Sequence, residues 1–125
     1  MKTLKNKNKE LVKYFFQVMG DERFLTIMDK FSKKEGYGIE HVWCVFADDY
    51  EEWEEDYFGE EGIAFYFDYP AVQEDEEVIL DYETLYEYLD EIVEFYLVRH
   101  PENKLEIDNY MKKIKLKYNI KQSRK

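Results

Sequence analysis

Between Glu35 and Val98 the chain carries 22 Asp and Glu residues and no Lys or Arg. A stretch of that length and sign cannot neutralise itself, which constrains the fold more than any other feature. All 18 cations lie in 1–34 and 99–125, together with the other seven acids, so the flanks balance at +11 and the middle at −22. The flanks are therefore expected to pack against the middle and neutralise part of it. The remaining net charge of −11 has to face outward. Such a surface repels nucleic-acid phosphates and anionic headgroups and attracts basic proteins over about 8–10 Å. Direct binding to nucleic acid or a membrane is disfavoured.

The densest part of this region is Asp48 to Glu61, DDYEEWEEDYFGEE, where nine carboxylates alternate with Tyr50, Trp53, Tyr57 and Phe58. A large ring contributes free energy only where something covers it, so a merely solvated acidic loop has no need of four. The reading is a partner-binding surface. Trp53 and Phe58 are equally readable as anchors holding the segment to the rest of the fold. Of the 23 aromatics, 16 fall in 35–98. Phe65, Phe67, Phe95 and Tyr96 are assigned to the core, while Tyr50, Trp53, Tyr57 and Tyr69, each beside acids, are divided between core and contact. Interfaces concentrate such rings at their centres.

Length and periodicity supply the scaffold. At 125 residues, 45% hydrophobic and 38% charged, the chain reads as one globular domain able to bury a sizeable core. Leu11, Tyr14, Phe15, Val18 and Met19 recur at helical spacing from Asn8 until Gly20. Asp21 is the expected N-cap of a second helix, with Lys30, Lys33 and Lys34 near its end and Gly36-Tyr37-Gly38 as its stop. A buried strand is expected over 39–47, with His41, Trp43 and Val45 on one face and Val42, Cys44 and Phe46 on the other. The acidic segment follows as a short helix or turn. A second strand runs from Ile63 to Tyr69 and ends at Pro70; a third spans Glu76 to Asp81.

Asp81 then caps the clearest helix, which runs to about Arg99. Its apolar stripe is Leu85, Leu89, Ile92, Val93 and Tyr96, and its opposite face is Glu83, Glu87, Asp90 and Glu94. Like charges four residues apart cost a few tenths of a kcal/mol each, about 0.2–0.5, so this face is a second place where a basic partner could sit. Pro101 opens a last helix with a basic C-terminal half. The order ααβββαα gives an α+β fold: about three strands, antiparallel or mixed, packed with about four helices. Residues 1–7 and 119–125 are expected to be flexible.

Little of this composition suits catalysis. Read from Asp48, a calcium-binding loop would place Tyr50 third and Trp53 sixth, where an acid and a glycine are needed; read from Glu54, Phe58 stands at the fifth ligand position. A metal-dependent phosphoesterase is thus a minor alternative, and neither metal nor cofactor is expected. His41 and His100 read as structural, and Cys44 as a small buried hydrophobe. A lone cysteine permits no internal disulfide, and with no signal peptide or membrane span legible, a reducing cytoplasm is the expected location.

What remains is recognition. The run GYGIEHVWCVFADDYEEWEEDYFGEEGIAFYF, with EEVILDYETLYEYL and RHPENK after it, resembles the immunity proteins of contact-dependent growth inhibition systems, of the group that neutralises ribonuclease toxins. The likeness extends from about Asn8 to Tyr118. It implies a small non-enzymatic protein that binds the C-terminal nuclease domain of a cognate toxin. Physically, a nuclease must hold phosphates in a basic cleft, and fixed carboxylates and rings can take the place of phosphates and stacked bases. The expected contact set is Asp48, Asp49, Tyr50, Glu51, Glu52, Trp53, Glu54, Glu55, Asp56, Tyr57, Glu60, Glu61, Asp68, Tyr69, Glu74 and Asp75. The competing reading is a nucleic-acid mimic that inhibits DNA- or RNA-binding proteins.

Overall fold

The computed structural model describes residues 4–55 and 57–120. Asp56 of the expected contact set, and residues 1–3 and 121–125 of the expected flexible ends, lie outside them. Four helices and four strands follow in the order α1 (Leu4–Met19), α2 (Phe24–Ser32), β1 (Tyr37–Ile39), β2 (Val42–Phe46), β3 (Ile63–Phe67), β4 (Glu76–Leu80), α3 (Tyr82–Arg99) and α4 (Lys104–Lys117). The strands form one antiparallel sheet in the order β1-β2-β3-β4. The fold is α+β as expected, with one strand more than the sequence suggested.

The additional strand is β1, built from residues that read as a helix stop. Gly36 and Gly38 are glycines because β2 lies too close for a side chain. A Cβ at Gly36 would stand 2.3 Å from the carbonyl oxygen of Cys44, and one at Gly38 would stand 2.2 Å from Cβ of Trp43. The expected strand over 39–47 is accordingly two strands joined by a tight turn at Glu40 and His41. That turn exposes His41, which therefore does not share a buried strand face with Trp43 and Val45. Gly38→Ala is expected to cost about 2 kcal/mol, because backbone and Trp43 must give way together. Urea unfolding measures it, and an unchanged midpoint would show that β1 can move aside.

Pairing fixes the two faces. Cys44 opposes Phe65, and Phe65 opposes Val78, so these side chains point the same way, with Val42, Phe46, Ile63, Phe67 and Leu80. All are buried, and the helices cover them. Phe15 of α1 meets Phe65 edge-on at 5.0 Å, Phe31 of α2 meets Phe46 at 5.6 Å, and Tyr118 after α4 meets Phe46 at 5.8 Å. From α3, Leu85 and Leu89 are fully buried. Burying a side chain of this size contributes about 1.5–3 kcal/mol, so this layer holds the fold together.

Helix ends depart from the sequence reading in one instructive case. Asp81 caps α3 as expected, accepting from the Thr84 amide at 2.8 Å. Asp21 does not cap α2. A 3-10 turn over Asp21–Arg23 intervenes, and the Asp21 carboxylate turns away to Arg99, whose Nε and Nη2 donate to its two oxygens at 2.8 Å each. His100 Nε2 lies 2.8 Å from the same carboxylate, and its ring stacks on Tyr96. A bidentate guanidinium satisfies both oxygens, which one backbone amide cannot.

The Arg99 hydrogen bonds, and after them His100, hold the Asp21 carboxyl down at about 2 against an ordinary value of 3.8. Because the folded pKa is depressed, this group contributes stability that is complete above about pH 4 and lost as pH falls toward 2. Its side chain is 38% exposed, so solvent screening limits the contribution to no more than about 1 kcal/mol. Asp21→Asn should therefore lower the melting temperature at pH 6 and converge on the wild type near pH 2. Parallel curves would remove the assignment.

Candidate functional site

The acidic segment leaves β2 through a 3-10 turn over Ala47–Asp49 and re-enters the sheet at Ile63. Of the short helix or turn expected here the structure has the turn. Beyond it the Glu54 amide donates to the Glu51 carbonyl and the Tyr57 amide to the Glu54 carbonyl, and four of the segment's own side chains brace it. Asp49 accepts from the Phe46 amide at 3.0 Å, and Glu54 accepts from the Glu51 amide at 3.0 Å. Tyr50 packs edge-on against Phe58 at 6.1 Å, both half-buried. Phe58 is therefore an inward anchor. Trp53 is not, since 80% of its surface is open to solvent. Tyr57 is half-buried, and burial together with the Glu52 and Glu60 carboxylates raises its phenol above the ordinary value.

The expected contact residues divide between the two ends of the sheet. Residues 48–61 join the end of β2 to the start of β3. Asp68, Tyr69, Glu74 and Asp75 follow β3 at its other end, roughly 15 Å away by strand rise. There Asp75 accepts from the Tyr69 amide at 2.9 Å, and Tyr69, 68% exposed, does not continue the strand. No single loop gathers the set.

Charge pairing confirms part of the expected neutralisation. Lys9 and Lys13 of α1 both reach Glu91 at 2.7 Å, holding that carboxyl below the usual range, Lys13 contributing more. Lys7 lies 3.4 Å from Glu76, Lys30 3.6 Å from Glu35 and Lys34 3.9 Å from Asp48. Among the described residues, no ion pair reaches Glu51, Glu52, Glu54, Glu55, Glu60 or Glu61. The densest carboxylates therefore keep their field. On α3, Glu83, Glu87, Asp90 and Glu94 are exposed, forming a second acidic face.

Two further assignments are settled by burial. Phe95, expected in the core, is 54% exposed, with Lys13 Nζ 5.3 Å from its ring centre, because the α3 stripe faces the core through Ile92 and Tyr96 instead. Cys44 is buried against the helices, and burial pushes its thiol up to about 12, so at neutral pH it is protonated and unreactive. Among the described residues, no group of three or more His, Cys, Asp or Glu is arranged to hold a metal ion, and no helix is long and apolar enough to cross a membrane.

Sequence reasoning left out the side chains between the two acidic ends. Gly38, Trp43, Val45, Ala64, Tyr66, Glu77 and Ile79 share the sheet face opposite the helices. The sequence puts Trp43 and Val45 on one strand face and Val42, Cys44 and Phe46 on the other, but both rows are apolar and do not tell which one the helices leave uncovered.

Fold and surface together define a small α+β protein whose distinguishing feature is an acidic, ring-bearing surface around one side of its sheet. Residues 8–111 match the family model CdiI_4, CDI immunity protein, and the chain belongs to that family. Its function is accordingly immunity against a toxin of contact-dependent growth inhibition. No curated protein matches the chain.

Proposed function

We propose that the chain neutralises a cognate ribonuclease toxin domain by binding it through the acidic, aromatic-rich surface and covering the basic cleft that holds RNA. It acts as a stoichiometric inhibitor in the cytoplasm, with no catalysis and no cofactor. The observation that carries this reading is the cluster Glu51, Glu52, Glu54 and Glu55 around exposed Trp53, unpaired with any described cation. Concentrated like charge left without counter-ions costs self-repulsion in the free protein, and a basic partner removes that cost on binding. The field also steers encounter, giving the fast association that protection of a cell against an incoming nuclease requires.

The acids gather at the two ends of the sheet, and rings lie between them on its outer face. That arrangement favours a protein partner over mimicry of a duplex, whose phosphates run in continuous rows. Co-expression with the C-terminal nuclease domain encoded beside this chain is the test. Growth should be restored, and the two chains should co-purify at low salt. No rescue and no complex would end the reading, and equal inhibition of unrelated nucleases would transfer the chain to the mimic class.

A further inference from the structure

The described helices pack on one face of the sheet only. The ring contacts between the described helices and the sheet fall on its inner side: Phe15 on Phe65, Tyr14 on Phe67, and Phe31 and Tyr82 on Phe46. On the outer side Trp43 stacks on its cross-strand neighbour Tyr66, centres 5.3 Å apart and planes 28° from parallel. Val45 lies beside them half-buried, and Ile79, on edge strand β4, is 47% exposed. Opposite Trp43 stands Gly38, where no side chain fits, so the tryptophan has no neighbour across that pair. Ala64 at the middle of this face is fully buried, so the face is partly covered, with Trp43, Tyr66 and Val45 half-buried and Ile79 open. A soluble protein that leaves such a patch partly exposed generally uses it.

We infer that this outer face is the apolar centre of the toxin-binding surface, and that its occupant is a basic face of the toxin domain presenting arginine side chains. The inference rests on the proposed function and supplies the part of the interface that the acidic loops do not. Charge selects the occupant. Asp48 to Glu61 borders the face at one end and Asp68 to Asp75 at the other, and no cation stands between residues 35 and 98. A second copy docked here would bring acidic ends onto acidic ends, and a nucleic acid or anionic lipid would be repelled in the same way. Arginine fits both parts: its planar guanidinium lies flat on Trp or Tyr while its fork reaches a carboxylate at the border. An apolar centre rich in Trp and Tyr with a charged rim is where binding energy concentrates in protein interfaces.

The two parts of the surface predict different kinetics. Border carboxylates act on encounter, whereas a desolvated centre acts on dissociation. Surface plasmon resonance on the purified toxin domain should show Trp43→Leu dissociating at least about tenfold faster and Ile79→Ser several-fold faster, with association rates and their salt dependence unchanged. Ile79 is half exposed on an edge strand, so its variant carries the test even if Trp43→Leu fails to fold. A wild-type complex with unchanged dissociation in the folded variants overturns this inference alone. Absence of any wild-type complex overturns the proposed function with it. Sedimentation of the free chain should show a monomer; a dimer dispersed by Ile79→Ser would give the face to a second copy and overturn the assignment.

Discussion

Replacing Glu51, Glu52 and Glu55 by lysine is expected to slow association with the toxin domain by about a hundredfold at low ionic strength. Electrostatic steering is worth roughly 10- to 1,000-fold in rate, and no ion pair among the described residues neutralises these carboxylates. The difference should shrink as salt shortens the Debye length from about 30 Å at 0.01 M to about 3 Å at 1 M. Folding should be untouched or slightly improved, because none of the three is ion-paired among the described residues and like-charge repulsion is relieved. Glu54 is kept out of the variant because its carboxylate holds the Glu51 amide, so its loss would confuse loop geometry with charge. Stopped-flow association across a salt series decides the matter: an unchanged rate at low salt would move the electrostatic contact to the Glu83 to Glu94 face of α3.

The largest effect on stability is expected at Phe65. It is fully buried at the centre of β3, meets Phe15 of α1 edge-on, and lies between Cys44 and Val78 on the inner face. Phe65→Ala removes the ring from the contact between sheet and helices, at a cost of about 3–5 kcal/mol including the cavity left behind. Domains of this size are stable by about 5–15 kcal/mol, so the variant loses a large part of its margin. Phe95→Ala is the matched control. Its ring is mostly in solvent beside Lys13, and it should stay within about 0.5 kcal/mol of the wild type. Urea unfolding of both measures the contrast, and similar losses would contradict the layer order described above.

These two outcomes also mark what could be read without a structure. Phe65 was legible because β3 is short, made of aromatic and aliphatic residues, and bounded by Gly62 and Pro70. The stripe and cap of α3 were legible for a similar local reason, since Asp81 and Leu85 to Tyr96 fix a helix whatever it packs against. Phe95 was not, because a ring one position from Tyr96 fits the stripe equally well until the packing direction is known. Asp21 was misassigned because a local cap lost to a distant bidentate arginine, a partner 78 residues away. Gly36 and Gly38 read as a stop because close backbone approach and helix termination both call for glycine.

The candidate surface was legible by residue and not by place. Composition picked out the acids and their rings, since they stand free of positive charge, but not that they occupy opposite ends of the sheet. That depends on strand register, which sets where each loop emerges. Trp53 and Phe58 look alike in sequence; only the packing of Phe58 against Tyr50 separates the anchor from the exposed ring.

The central claim is that the toxin domain sits on the acidic surface around the outer sheet face. Hydrogen exchange of the chain, free and in complex, tests it most directly. Protection should rise in Val42 to Phe46, in the Asp48 to Glu61 segment, and in Asp68 to Ile79, while α4 and the Glu83 to Glu94 face of α3 exchange as in the free protein. Protection confined to α3 or α4, with the acidic segment unchanged, would contradict it.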